Sequence, residues 1–92
     1  MTLAVEVGEP ARDGNRVRCD VRVNGQRYQV TVSDADAAVL APGHDTRALV
    51  EESFQFLLER EPPESIMRRF DITVIERYFP EYRSDIKRRM AR

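Results

Sequence analysis

The sequence predicts an α+β fold, a small antiparallel three-stranded sheet (a meander) followed by several α-helices packed on one face. Three observations point there. Apolar residues alternate strictly from Val17 to Val23, an Asn-Gly pair follows at once, and beyond residue 33 the apolar spacing changes from two to three or four.

Val17, Cys19, Val21 and Val23 alternate with Arg18, Asp20, Arg22 and Asn24, the pattern of a half-buried strand. Asn24-Gly25 suits a two-residue type I′ turn, whose two central positions both need positive φ. That turn sets Val23 opposite Gln26, Val21 opposite Tyr28, Cys19 opposite Val30 and Val17 opposite Val32. These pairs share one face, and Asp20/Gln29 and Arg18/Thr31 take the other. Leu3, Val5 and Val7 suggest a preceding strand ending near Pro10, which cannot donate to a ladder. A three-residue loop over Arg12-Asp13-Gly14, with Gly14 left-handed as a bulge, sets Val7 opposite Cys19 and completes the meander.

Ser33 and Asp36 have capping-box-like spacing before a short apolar run that Pro42-Gly43 stops. Asp45 or Thr46 caps a longer helix over 45–61, with Val50, Phe54, Leu57 and Leu58 as its core stripe. Glu51, Gln55 and Glu59 form its opposite face, and Pro62-Pro63 ends it. Apolar residues then recur every fourth position from Ile66 through Phe70, Val74, Tyr78, Tyr82 and Ile86 to Met90. A step of four overshoots a helical turn by about 40°, so one straight helix would wind this stripe most of the way round its axis. The chain therefore breaks into three short helices, roughly 63–70, 72–79 and 80–91, the last two either separate or fused with a kink at Pro80. Asp71 or Thr73 caps the second, with Thr73 and Glu76 matching a capping box, and Pro80 opens the third. The whole reads as one domain over 1–92: sheet over 1–33, helices over 34–61 and a helical C-terminal part over 62–92.

Glu61-Pro62-Pro63-Glu64-Ser65-Ile66, then Phe70-Asp71-Ile72, then Val74-Ile75-Glu76-Arg77-Tyr78-Phe79-Pro80-Glu81-Tyr82 carry a resemblance. This stretch, about the last third of the chain, is similar to that of small uncharacterised bacterial proteins. The resemblance implies bacterial origin and no chemistry.

Composition narrows the function classes. Ninety-two residues with 41% hydrophobic and 34% charged side chains suit one globular unit, and a net charge of −1 gives no bulk attraction for nucleic acid or acidic lipid. The N-terminus has no basic segment ahead of an apolar run, and no uncharged stretch approaches the roughly twenty residues of a membrane helix. One cysteine, Cys19, rules out an internal disulfide and agrees with a cytoplasmic location. Cys19 and His44 are the sole candidates for a Cys/His hydrolase. Cys19 falls on the apolar face of its strand, where cysteine acts as a small hydrophobe, and His44 falls in a loop. No zinc, calcium or phosphate-cradle motif is present, so no catalytic residue, metal or cofactor is expected.

Charge is segregated along the chain. Residues 29–65 hold eight acidic and two basic groups, whereas residues 66–92 hold four acidic and eight basic. Arg83, Lys87, Arg88 and Arg89 on the last helix form a candidate nucleic-acid contact, against the ordinary reading that cations complement a helix C-terminus. Residues 64–79 suggest a helix-turn-helix, but the second helix spends Val74, Ile75, Tyr78 and Phe79 on apolar groups, leaving few to read bases. That apolar circumference instead predicts a homodimer interface at Ile75, Tyr78, Phe79 and Tyr82, since a small chain has little surface to hide it. The expected function is a non-enzymatic protein-interaction or accessory module acting as a homodimer; the alternative is a nucleic-acid-binding regulator using the basic C-terminal helix.

Overall fold

In the computed structural model, which describes residues 4–91, the period-two alternation forms strand β3 (Arg16–Val23), buried at every second residue. Asn24 and Gly25 both take positive φ, 51° and 82°, and return the chain as β4 (Gln26–Ser33). The register is the one the turn dictates, from Val23 opposite Gln26 to Val17 opposite Val32. Turn chemistry and hydrophobic pattern agree, and the hairpin is the backbone of the sheet.

The edge next to β3 is made of two segments, β1 (Val5–Val7) and β2 (Ala11–Asp13), both antiparallel to β3. Leu3 lies outside the described residues. The expected three-residue loop does not form: Asp13 pairs with Arg16, leaving a two-residue turn with Gly14 at φ 65°. Val7 therefore stands opposite Val21 rather than Cys19. A bulge absorbs the difference, because Gly8-Glu9-Pro10 faces only Cys19-Asp20, with Gly8 N–H donating to the Asp20 carbonyl at 2.8 Å. The extra residue keeps Val5 and Val7 on the core side, where both are half-buried.

The sheet is mixed and five-stranded, not a three-stranded antiparallel meander. The expected helix over 63–70 is replaced by a 3-10 turn (Pro63–Ser65) and a short strand β5 (Arg69–Asp71) parallel to β4. The cause is tertiary. The outer edge of β4 presents unpaired backbone groups, and this segment satisfies them: Gln29 N–H donates to the Arg68 carbonyl at 2.8 Å, and Ile72 N–H to that of Thr31 at 2.9 Å. The Tyr28 hydroxyl donates to the Pro63 carbonyl at 2.6 Å and pins the turn to the sheet. A parallel partner needs a long crossover, and residues 34–68 supply it.

That crossover holds α1 (Asp34–Leu40) and α2 (Thr46–Leu58). Their caps are those read from the sequence: Ser33 Oγ accepts Asp36 N–H at 3.0 Å, and Asp45 Oδ1 accepts Ala48 N–H at 2.8 Å. α2 is buried more widely than one stripe, with Leu49, Ser53 and Phe56 joining Val50, Phe54 and Leu57. Phe54 lies against Tyr28 and Phe70 on the sheet side, whereas Phe56 meets Phe79 and Tyr82 on the other. After β5 come α3 (Thr73–Tyr78) and α4 (Tyr82–Met90), separated at Pro80. Asp71 Oδ1 accepts both the N–H and the hydroxyl of Thr73 ahead of α3. The Thr73/Glu76 capping box is not made, because the Glu76 carboxylate is taken by Arg83. Among the described residues no helix is long and apolar enough to cross a membrane.

Gly25 tests the hairpin in isolation, since a Cβ there would meet no atom within 4 Å. Gly25→Ala should destabilise by about 1–2 kcal/mol through its left-handed backbone alone, read as a lower denaturant midpoint at unchanged slope.

Candidate functional site

The four residues expected at an interface separate into two pairs. Ile75 (3% exposed) and Tyr82 (1%) belong to the chain's own core. Tyr82 opens α4 beneath α2, its ring edge-on to Phe56 at 5.2 Å and its hydroxyl 2.6 Å from Ser53 Oγ. Its place in the core follows from that partner: a buried tyrosine needs a hydrogen bond, and Ser53 provides it. Burial raises the Tyr82 hydroxyl well above its ordinary range despite the help of Ser53. Tyr78, by contrast, is 68% exposed, and Phe79 is half-buried.

Tyr78 and Phe79 edge a cleft of about 260 Å³. One wall is α3, through Val74, Ile75 and Tyr78; the other is the C-terminal end of α2 with the segment Ser65-Ile66-Met67, and Phe70 forms part of the lining. Glu61 is its one charged lining residue. Met67 is 49% exposed on the rim. Sequence reasoning missed Met67 because it placed that residue on a helix with Ile66 and Phe70; in the extended stretch that forms, Ile66 and Phe70 turn inward and Met67 outward. Exposed large apolar side chains lining one concave patch mark an interaction surface more than scattered ones do.

The basic residues of α4 are largely occupied. Arg83 donates to both carboxylate oxygens of Glu76, at 2.8 and 3.3 Å. Arg88 and Arg89 both bond Asp85, and Arg89 also reaches Glu59 at 2.6 Å and Glu52 at 3.9 Å. The Arg89 side chain is only 13% exposed, with its guanidinium 5.8 Å from the Phe56 ring centre. Lys87 has no ion pair among the described residues, and Arg92 lies outside them. A phosphate on this helix would thus meet carboxylates already holding three of the four cations. Burial alone would raise the Asp85 carboxyl, but Arg89 and Arg88 overcome it and hold it below the usual range. Arg83 holds Glu76 low, Arg12 holds Asp34 low, and the backbone N–H and Arg60 do so for Glu81.

Cys19 is fully buried between the sheet and the helices, and burial pushes its thiol up to about 11, with Asp20 adding to the effect. His44 is exposed in the loop after Gly43. Among the described residues no three His, Cys, Asp or Glu side chains come together as a metal site would require. No protein-family model matches the chain, and no curated protein or solved structure does so either.

Native Cys19 should react with a thiol reagent at pH 8 at least ~100-fold more slowly than in denaturant. Because its folded pKa exceeds the unfolded value of about 8.5, stability should also begin to fall as pH rises past that value. On the acid side Asp34, Glu76, Glu81 and Asp85 have lowered pKa values, so their contribution is present above about pH 4 and lost below it. Asp85→Asn should cost about 1–3 kcal/mol at pH 7. In denaturant titrations that deficit should shrink as pH falls below about 4, where the unfolded chain takes up the proton that native Asp85 resists.

Proposed function

We propose that this protein acts by binding rather than by catalysis, as an accessory module that self-associates through the α3 cleft. The observation that carries the reading is a knob beside a hole. Tyr78 projects from α3 at the rim of an apolar cleft, with Met67 also standing clear of the surface. A two-fold contact requires one patch to be complementary to itself, and a protruding side chain adjoining its own receptor supplies that. Tyr78 of one copy would enter the cleft of the other between Met67 and Val74, with Phe79 closing the edge. Tyrosine suits this position, because it buries a large ring at low entropic cost while its hydroxyl can stay wet. The interface is thus Tyr78 and Phe79 with Met67, the buried Ile75 and Tyr82 acting as its support. Bacterial origin is supported by the resemblance of residues 61–82, and a cytoplasmic location by the lone thiol without a disulfide partner.

Light scattering on a sizing column, from low to high micromolar protein, tests the reading. The wild type should pass from monomer to dimer, and Tyr78→Glu and Met67→Glu should each shift that equilibrium toward monomer at least ~10-fold while melting cooperatively. Tyr82→Phe should instead lose about 1 kcal/mol of stability, from the bond to Ser53, with association unchanged. A wild type that stays monomeric at high micromolar concentration, or a dimer indifferent to both Glu changes, would overturn the proposal.

A further inference from the structure

Among the described residues, four guanidinium groups without carboxylate partners lie on the open face of the sheet, and another, Arg77, stands apart on α3. α4 lies on α1 and α2, which pack on the other face of the sheet, the side of Val17, Cys19, Val21 and Val23. The residues between them point away: Arg16, Arg18, Asp20 and Arg22 on β3, with Arg27, Gln29 and Thr31 beside them on β4. β5 extends this face, setting Arg69 opposite Gln29 and Asp71 opposite Thr31.

The carboxylates here do not neutralise the arginines one for one. Asp71 is held by Arg16 at 3.0 Å. Asp20 accepts the Gln29 side-chain amide at 3.4 Å, Glu6 lies across from Arg22 on the edge strand without an ion pair, and Asp13 sits at the far corner opposite Arg16. Arg18, Arg22, Arg27 and Arg69 make no ion pair among the described residues. Arg22 and Arg27 are moreover directly opposite one another. Like charges so placed disfavour the sheet, and an anion between them would relieve that repulsion. Two shallow clefts, of about 450 and 260 Å³, share Asp20, Arg27 and Tyr28; the first reaches Glu6 and Arg22, and the second reaches Arg68 and Arg69.

We propose that this face binds the backbone of a single-stranded nucleic acid. Strand spacing of about 4.8 Å and a rise of about 3.3 Å per residue put the Arg22 and Arg27 origins roughly 5 Å apart. Arg69 then lies roughly 8 Å beyond Arg27, and Arg18 roughly 13 Å along the strand from Arg22. Charges spread over that track suit an extended polyanion better than one compact phosphate, and each guanidinium fork matches phosphate oxygens. No aromatic side chain lies on the face, since Tyr28 and Phe70 turn into the core. Bases therefore gain no stacking platform, and binding is independent of sequence and steeply dependent on salt. The inference does not rest on self-association, because the sheet face and the α3 cleft share no residue.

Fluorescence anisotropy with a labelled mixed-sequence single strand of about 16 nucleotides tests it, on the full chain between low and moderate salt. Four phosphate contacts predict a slope of log K against log salt near −3, from about −0.7 per contact. Arg22→Gln with Arg27→Gln should weaken low-salt binding at least ~10-fold and bring the slope near −1.4. Arg83→Gln with Lys87→Gln and Arg88→Gln should leave both unchanged, and thermal melts should show both variants folded. The proposal fails if no binding occurs at low salt, or if the α4 triple change abolishes it and the sheet pair does not. It fails equally if poly-glutamate of matched charge, or micromolar inorganic pyrophosphate, displaces the strand as well as unlabelled strand does.

Discussion

Everything in this fold is arranged around a helix that must be covered on two opposite sides. Phe54 and Phe56 are two residues apart on α2, so their side chains leave the axis about 200° from one another, and both are at most 1% exposed. Phe54 settles against Tyr28 and Phe70 with ring centres 5.2 and 6.1 Å away, which places α2 on the sheet. Phe56 then needs a second cover, and the C-terminal segment provides it, with Phe79 and Tyr82 both edge-on at 5.9 and 5.2 Å. Truncating a buried phenylalanine costs about 3–5 kcal/mol, so losing either cover would remove a large part of a small domain's stability of about 5–15 kcal/mol. The order of layers follows: sheet, α2, then the C-terminal helices.

The same demand explains the departures from local pattern. Phe70 is required beneath Phe54, and β4 has an edge to pair, so residues 69–71 become strand where their spacing suggests helix. Tyr82 is required beside Phe56, so a side chain that reads as amphiphilic surface goes inside and finds Ser53. What α3 keeps at the surface is the remainder once Ile75 has been claimed by the core, namely Tyr78 with the exposed edge of Phe79.

The sequence made the hairpin legible to the residue because two independent signals coincide there. Asn24-Gly25 sets the turn, the valine alternation sets the faces, and only one register satisfies both. Helix caps at Ser33 and Asp45 were equally readable, since a cap is a contact within three residues. The edge strand was half-legible: Val5 and Val7 announce it, but a bulge at Gly8-Glu9-Pro10 and a one-residue longer loop are interchangeable on paper. β5 was hidden because Ile66 and Phe70, four apart, fit a helix and a strand alike. The partner that decides between them lies about forty residues earlier, at Gln29 and Thr31. At the candidate cleft, Tyr78 and Phe79 could be found from the apolar circumference of α3, whereas Met67 could not, its orientation depending on the strand that was missed.

Charge shows the same division between what is local and what is not. Along the chain, cations gather after residue 66 and anions before it, which reads as a basic tail on an acidic body. In space the two groups are brought face to face. α4 lies on α2, so Arg89 meets Glu59 and Glu52 as well as its own Asp85, and Arg60 reaches forward to Glu81. Arg60 stacks its guanidinium 3.6 Å from the centre of the Phe56 ring, adding a cation to the two aromatic edges that meet it. The segregation is therefore a docking device for α4: opposite charges on the two helices frame an aromatic contact and fix its orientation. Its consequence is that Arg83, Arg88 and Arg89, three of the conspicuous C-terminal cations, are used internally. Those scattered singly through β3, β4 and β5, each alternating with a core residue, are left facing outward.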